Sequence, residues 1–372
     1  MMNTSPIATE SELSTKLERI HGLLDRCGLN GLLLQRFSNF AWATCGAACY
    51  INTADSAGNA SLLITPAGRF VLTDNIEAAR LMQEEGLADQ GWEFVISPWY
   101  ERKDRVPELT RGLKLGADTS LPYAKELTSE IAALRFPLTQ EEGERFRTLG
   151  RLCAEGMWKA VEALQPDMTE YEIAGLLSQA VESRGVQAIV NLIATDERIF
   201  SFRHPLPTSK RLQRYAMLIL CGRKWGLICS LSRLIHFGPL PDEVRSKGDA
   251  IAQIDAAIIA ATRPGFTLGD VFEKAQLAYA SAGFPDEWKK HHQGGLAGYV
   301  PREITGEPKS TQPILPGQAF AWNPSIAGVK SEDTILVGEQ TNEVLTEMAN
   351  WPIIEVQIDN QKIKRPAILV QG

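Results

Sequence analysis

Apolar residues along the first third of the chain occur either at helical spacing or in short runs. Between Leu13 and Arg26 they repeat at helical spacing, which predicts an amphipathic helix that Gly28 ends. Short apolar runs bounded by turn residues predict strands at residues 31–35, 61–64, 70–73, 92–96 and 115–117, and further helices are predicted at residues 75–85 and 107–113. This alternation of short strands and helices favours a small α/β domain.

A boundary is predicted at Arg135-Phe136-Pro137. Pro137 cannot continue a helix, and Thr139 followed by Glu142 has the capping-box pattern of a new helix. Helices are then predicted from this box to residue 164 and at residues 170–183, 242–262 and 268–282, and strands at residues 188–193, 215–220, 227–235, 292–299, 318–323, 333–337, 353–357 and 367–370. We therefore predict an α/β protein with two domains, residues 1–136 and 137–372.

Composition and charge narrow the class of protein. A hydrophobic content of 44% with 22% charged residues is typical of a soluble globular protein. The net charge of −7, with both signs interspersed, argues against a nucleic-acid partner. The sequence shows neither a signal-peptide pattern nor an apolar run of about eighteen residues, so we expect a cytoplasmic protein that does not enter a membrane. The six cysteines lack the paired spacing of a zinc site and are expected to be reduced core thiols.

The predicted hairpin at residues 214–238 resembles the central hairpin of the prolidase, methionine aminopeptidase and creatinase family, which has the pita-bread fold. In the metallopeptidases of that family each strand carries a metal-binding aspartate. The pair Ser232-Arg233 sets the register, which puts Ile219 and Ser230 at those positions. Creatinase, the metal-free relative, has a glutamate where this chain has Ser232. The resemblance implies a small N-terminal α/β domain followed by a pita-bread C-terminal domain.

The segment Phe202–Thr208 carries a histidine before a proline-containing turn. In prolidases and creatinase the histidine before a similar turn faces the scissile bond and carries protons, and His204 matches it. An imidazole suits this role because its unperturbed pKa lies near neutrality. On the residues alone, a loop histidine bonded to the backbone is the alternative.

A second family pattern is a histidine, a glycine three residues on and another histidine seven residues on. His292 and Gly295 fit this pattern, and Tyr299 stands in place of the second histidine. Tyr299 is expected to donate a hydrogen bond to a substrate carbonyl or anion. The pair His291-His292 is a weak metal signal, because adjacent residues on a strand point to opposite faces.

Two later positions complete the resemblance. Asn323 precedes Pro324 where the metallopeptidases have a metal-binding glutamate, and it can hydrogen-bond an amide. Glu332 matches the last carboxylate ligand of the family, although a solvent-facing strand glutamate is the alternative.

The ligand positions of the family are thus occupied by Ile219, Ser230, His292, Asn323 and Glu332. One carboxylate and one imidazole would leave two divalent ions short of ligands, because hard cations need several carboxylates to offset dehydration. We therefore predict no metal and no other cofactor.

These residues lead to the hypothesis of a metal-independent hydrolase that cleaves a C–N bond in a small nitrogen-containing molecule. His204 would activate water or protonate a leaving nitrogen, and Glu332 and His292 are further candidate catalytic residues. Glu332 would bind a cationic or N–H-rich group, while Tyr299 or Asn323 would polarise a carbonyl.

Three more residues are expected to bind substrate. Arg302 is the candidate partner of a substrate carboxylate because a guanidinium binds carboxylates in bidentate geometry, although a surface ion pair is equally compatible. Ser230 and Cys221 are expected at the edge of the pocket.

Two other functions are compatible with the sequence. The chain could be a non-catalytic binding module, as is a peptidase-like domain of one histone chaperone, or an Xaa-Pro aminopeptidase, which the missing aspartates argue against. The resemblance also implies a homodimer, since relatives often close each active site with the N-terminal domain of the partner.

Overall fold

The computed structural model describes residues 9–101 and 104–372. Two compact units are distinguished by their internal contacts. The first comprises the described residues up to Glu142 together with Trp225–Leu227, and the second comprises Gly143–Lys224 and Ile228–Gly372. The division falls inside the helix that follows the predicted boundary at residue 136, and the two predicted domain ranges stay a prediction.

The first unit contains one mixed sheet with short helices. Its helices are α1 (Glu10–Cys27), α2 (Phe37–Ala43), α3 (Ala78–Gln83), α4 (Val106–Leu109) and α5 (Thr128–Leu134). Its strands are β1 (Gly31–Arg36), β2 (Ala57–Thr65), β3 (Gly68–Asp74), β4 (Glu93–Ser97), β5 (Leu115–Ala117) and β6 (Ala124–Glu126). The strand order is β4-β3-β2-β1-β5-β6, so the apolar run of β1 lies near the middle of the sheet.

Local sequence signals define both ends of helix α1. The Thr9 side chain accepts a hydrogen bond from the backbone of Glu12 at 3.1 Å and caps the start of the helix. Gly28 adopts a left-handed conformation with φ 63° and ends the helix as predicted.

The second unit contains four long helices and a short one. They are α6 (Gln140–Glu162), α7 (Glu170–Glu182), the short helix α8 (Glu197–Ser201), α9 (Asp242–Ala261) and α10 (Leu268–Ser281), and a 3₁₀ helix spans Glu287–Lys290. The first residues of α6 belong to the first unit. The predicted capping box of α6 is confirmed, because the backbone and side-chain groups of Thr139 and Glu142 bond reciprocally at 2.7 and 3.2 Å.

The strands of the second unit form two larger sheets and two hairpins. They are β7 (Gln187–Thr195), β8 (Tyr215–Lys224), β9 (Leu227–Phe237), β10 (Gly294–Ala297), β11 (Ile304–Thr305), β12 (Ala319–Trp322), β13 (Ser325–Ile326), β14 (Val329–Lys330), β15 (Asp333–Leu336), β16 (Glu343–Val344), β17 (Ile353–Ile358), β18 (Gln361–Pro366) and β19 (Leu369–Gln371). The sheets have the orders β19-β9-β8-β7 and β11-β10-β12-β15-β16, and the hairpins are β13-β14 and β17-β18.

The central hairpin, β8 and β9, is longer than predicted. Its turn is confined to Trp225 and Gly226, whose φ angles of 53° and 77° suit the tight two-residue connection of a hairpin. Almost every residue of both strands is buried, so apart from the turn the hairpin contributes to the core of the second unit.

Strand β18 was not predicted, because its sequence QKIKRP is largely polar.

None of the helices in residues 9–101 and 104–372 is both long and apolar enough to span a bilayer.

Candidate active site

His204 lies in the segment after α8, and a buried carboxylate holds both ends of that segment. Glu170, the first residue of α7, accepts hydrogen bonds from the backbone and side chain of Thr195 at 2.9 and 3.0 Å. Its other oxygen accepts from the backbone and side chain of Thr208 at 2.9 and 2.7 Å and from Arg198. The loop that carries His204 is therefore anchored to α7 on both sides.

His291 contacts His204 directly. The Nε2 atoms of the two rings are 3.1 Å apart. On the other side of His291, its Nδ1 lies 3.1 Å from the Oγ of Ser325. The Tyr279 hydroxyl accepts from the Ser325 backbone N–H at 2.8 Å and donates to Gln293 at 2.9 Å. The orientation of His291 is thus fixed from both sides of the ring.

His292 completes a group of three imidazoles. Its ring centroid lies 4.7 Å from that of His291 and 5.5 Å from that of His204. The expectation that the two adjacent histidines face opposite sides of a strand is wrong, because β10 begins only at Gly294 and both residues precede it. His291 is buried, whereas His204 and His292 are each partly exposed to solvent.

All three imidazoles are neutral at pH 7. The pKa of His291 is lowered to about 2, mainly by burial and to a smaller extent by the positive charge of Lys330. The pKa of His292 is lowered to about 4, mainly by burial and to a smaller extent by the positive charge of Arg302. Partial burial and Lys330 lower the pKa of His204 as well. Each neutral ring has one nitrogen that can accept a hydrogen bond or a proton.

Glu332 is the centre of a charged cluster next to these rings. It pairs with Ser232 of β9 through the backbone, and its carboxylate accepts from the Ser232 hydroxyl at 2.6 Å. The same carboxylate forms ion pairs with Lys330 at 2.8 Å and Arg302 at 3.1 Å. Burial alone would raise the pKa of Glu332, but the two cations outweigh it and lower this pKa to about 2. The cluster therefore holds two positive charges and one negative charge at neutral pH.

Ser230 and Cys221 both lie beside Arg302. The Ser230 hydroxyl accepts from Arg302 at 3.3 Å and lies 3.2 Å from the Cys221 sulfur. Burial raises the pKa of Cys221 to about 11, so at neutral pH it is a thiol and a poor nucleophile. The substrate-binding role of both residues stays a prediction.

Asn323 and Tyr299 are both buried, and they lie just after the ends of the neighbouring strands β12 and β10. The Asn323 backbone N–H donates to Gln293 at 3.0 Å, and among the described residues its side-chain Oδ1 has no hydrogen-bond partner. The backbone N–H of Tyr299 donates to the Glu303 carboxylate at 2.9 Å. The Oδ1 of Asn323 therefore has acceptor capacity left, while the substrate-binding roles of Asn323 and Tyr299 stay a prediction.

Sequence reasoning assigned no role to three residues of this site. His291 was overlooked because His292 was matched to the family pattern instead. Lys330 carried a usable signal, since residues two apart on an extended strand share a face and Glu332 follows at that spacing. Ser325 carried none, because its contact with His291 joins positions 34 residues apart.

The family is established by a direct match. The model of metallopeptidase family M24 matches residues 144–339, which is more than half of the chain. This chain belongs to metallopeptidase family M24, which confirms the family expected from the central hairpin and the motifs after it.

Individual proteins agree with this assignment. An uncharacterized peptidase of Staphylococcus saprophyticus is 25% identical over 235 residues, which cover 59% of this chain. The match spans 65% of that relative, just under two thirds of its length. The prolidase from Pyrococcus horikoshii has a TM-score of 0.77 at 18% identity, covering 89% of this chain and 98% of its own. The Xaa-Pro dipeptidase from Bacillus anthracis has a TM-score of 0.77 at 17% identity, covering 96% and 100%. These likenesses confirm the predicted α/β, pita-bread fold.

The family name implies metal ions, and the side chains at the corresponding positions do not fit a pair of them. Ile219 is a buried apolar residue, and Ser230 already bonds to Arg302. The only carboxylate at these positions, Glu332, contacts two cationic groups. A divalent ion beside Glu332 would have to displace those partners and would be repelled by their charges.

The three histidines are the ligand-type side chains that could hold a single ion. In the described part of the chain, ligand atoms of His204, His291 and His292 lie within 4.8 Å of one another. Neutral imidazoles are common ligands of zinc and other transition metals. An ion at this position would occupy the nitrogen lone pairs that otherwise accept protons, so it would compete with acid–base chemistry there.

Proposed function

We propose that this protein is a hydrolase that cleaves a C–N bond in a small nitrogen-containing molecule, with His204 as general acid and base. We further propose that it works in the manner of creatinase, without the pair of metal ions its family name implies. The observation that carries the proposal is the 3.1 Å contact between the Nε2 atoms of His204 and His291, within a group of three neutral imidazoles.

The contact between the two rings requires one nitrogen to donate and the other to accept. If His204 donates from Nε2, His291 accepts there and donates from Nδ1 to the Ser325 hydroxyl, which lies at 3.1 Å. The Nδ1 of His204 then carries a lone pair. An exposed imidazole with a lowered pKa and a free lone pair is suited to take a proton from water at neutral pH.

The reaction needs only one proton to be moved twice. The oxygen of water bonds to the carbon while His204 takes one water proton, and the C–N bond then breaks as His204 returns that proton to the leaving nitrogen. Water is consumed, and no oxidant or reductant is required. His292 lies beside this path as a second neutral acceptor, in keeping with its predicted catalytic role.

The charge of the Glu332 cluster favours a substrate with a negative end. Lys330 and Arg302 together carry one positive charge more than Glu332 balances. The Nε of Arg302 has no hydrogen-bond partner among the described residues, so this side chain has donor capacity left for a carboxylate or for the oxygen that becomes negative in the transition state. The Glu332 carboxylate already accepts from Ser232, Lys330 and Arg302. We propose that it binds an N–H-rich group of the substrate only through the acceptor positions that these three donors leave unused.

Screening small amides, ureas, guanidines and lactams for turnover tests the proposal. The wild-type protein should hydrolyse at least one of them after removal of metals with a chelator, and His204→Ala should lose that activity. His21→Ala, which removes an exposed histidine of α1, is the matched control and should keep it. Undiminished turnover by His204→Ala would remove the catalytic role of that residue.

Cleavage of Xaa-Pro bonds is the second candidate, because a prolidase and an Xaa-Pro dipeptidase share this fold. The carboxylates missing at Ile219, Ser230 and Asn323 weigh against it. Assays of Xaa-Pro dipeptides with added manganese separate the two candidates, and cleavage that depends on manganese would replace the first candidate by the second.

We also propose that the protein is a homodimer, as the family resemblance implies. Light scattering coupled to gel filtration measures the mass directly. A mass near twice the 41.0 kDa of the chain supports the proposal, and a mass near 41.0 kDa contradicts it.

A further inference from the structure

A cavity of about 490 Å³ lies in the second unit, between the end of α9, the segment 340–351 and the hairpin β17-β18. Its volume is within the range of about 300–1,000 Å³ that small-molecule sites occupy. Apolar side chains line its interior, among them Ile259, Met348, Trp351 and Ile363. None of these residues belongs to the candidate active site.

The charged residues around the cavity are mostly cationic. Five cationic side chains and two acidic ones contribute to its lining: Arg233, Arg263, Lys362, Lys364 and Arg365 against Asp333 and Glu347. Arg263, Lys362 and Lys364 are exposed, so they lie where a ligand would meet solvent. Asp333 and Asp255 offset Arg233 and Arg365. The excess positive charge therefore comes from Arg263, Lys362 and Lys364 against Glu347, and it favours an anion over a cation.

A buried cation adds an unsatisfied donor. The Arg233 side chain is only 2% exposed and pairs with Asp333 at 2.8 Å, yet its Nε has no hydrogen-bond partner among the described residues. Its guanidinium lies 5.6 Å from the ring centre of Trp351. Buried polar groups are normally satisfied, so a donor left over in the lining of a cavity points to a ligand or a bridging water.

The cavity borders the same strand segments as the candidate active site. Ser232 and Glu332 bond to each other in that site, whereas the next residues, Arg233 and Asp333, line the cavity. Successive side chains of an extended strand point to opposite faces, so the two sites lie on opposite sides of one strand pair. A ligand in the cavity would therefore be separate from the substrate.

We propose that this cavity is a second binding site for a small organic anion with an apolar, preferably aromatic, body. The anionic group is held by the cationic side chains, and the body lies among the apolar residues of the interior. The inference does not depend on the proposed hydrolase activity, because binding is measured without turnover.

Fluorescence titration of the full chain with 8-anilinonaphthalene-1-sulfonate tests the site, with neutral N-phenyl-1-naphthylamine as the matched probe. One sulfonate probe should bind per chain, more weakly as salt is added. The double variant Arg263→Ala/Lys364→Ala should weaken sulfonate binding about three- to tenfold and leave the neutral probe within about twofold. Lys274→Ala, an exposed lysine outside the cavity, is the control and should change neither.

Filling the cavity gives an independent test. Ile363→Trp and Val344→Phe should each abolish binding of both probes, and thermal unfolding shows which variants fold. A folded filling variant that binds both probes like the wild type would overturn the proposal. Equal weakening by Lys274→Ala and by the double variant would also overturn it.

Discussion

Glu332 and Asp333 are neighbours in the sequence, yet they belong to two buried charge clusters with different properties. In the balanced cluster, Arg365 contacts Asp255 at 2.7 Å and Asp333 at 2.6 Å, while Arg233 contacts Asp333 at 2.8 Å. Two positive and two negative charges therefore offset each other. Arg365 and Asp255 are each only 1% exposed, so this cluster has the character of a structural connection between α9, β18 and β15.

The unbalanced cluster comprises Lys330, Arg302 and Glu332. One carboxylate there serves two cations, and neutral imidazoles rather than a second carboxylate adjoin it. Excess charge is costly to bury, so it persists where a ligand supplies the missing partner. The sign and balance of charge, more than burial, therefore separate a candidate site from a structural network.

The largest effect is expected on activity when the acid–base residue is removed. His204→Ala should reduce kcat about 10²- to 10⁴-fold, because positioned proton transfer contributes roughly that factor. The free energy of unfolding should change little, since His204 is an exposed loop residue. Kinetics on the substrate found by screening, together with urea denaturation, measure both quantities. If His204→Ala had a normal kcat and a much lower free energy of unfolding, the assignment of activity to the unbalanced cluster and its neighbouring imidazoles would be contradicted.

The balanced cluster should show the opposite behaviour. Arg365→Ala leaves Asp255 and Asp333 as buried, poorly compensated carboxylates, so the free energy of unfolding should fall by about 3–5 kcal/mol. Lys362→Ala, on the same strand but exposed, should change it by less than about 0.5 kcal/mol. Chemical denaturation measures the difference. Equal stability of the two variants would show that the network contributes nothing to folding.

A smaller effect is expected from pH. The pKa of His291 is lowered from 6.5 to about 2 in the folded protein, so below pH 6.5 the unfolded chain binds a proton that the folded protein does not. Stability should therefore fall as pH drops below 6.5, by about 1.4 kcal/mol per pH unit for this one group.

The variant His291→Gln should reduce that slope between pH 6.5 and 5, and His21→Gln should leave it unchanged. Urea midpoints measured across this range provide the test. An identical slope in wild type and His291→Gln would contradict the buried, neutral state assigned to His291.

Much of the fold was predictable because it depends on local signals. Apolar periodicity and the Thr139–Glu142 capping box located the long helices, and glycine at residue 28 located the end of α1. Strand β18 escaped prediction because its order depends on pairing with β17 and on burial of Arg365, neither of which its polar sequence reveals.

The site was less predictable, because its contacts join distant parts of the chain. The sequence indicated His204 and Glu332 individually, but the contact of His204 with His291 spans 87 residues and that of Arg302 with Glu332 spans 30. Tertiary structure alone brings these groups together. The choice of His292 over His291 followed from matching His292 and Gly295 to the family pattern, which carries no information about the contact between His291 and His204.

Turnover by metal-depleted protein tests the central claim most directly. The protein is treated with a chelator, its metal content is determined by elemental analysis, and hydrolysis is measured before and after manganese, cobalt or zinc is added. Activity should persist without metal, should not rise with manganese or cobalt, and should fall with zinc, which would bind the three imidazoles. Activity that disappears on depletion and returns with stoichiometric metal would contradict the account.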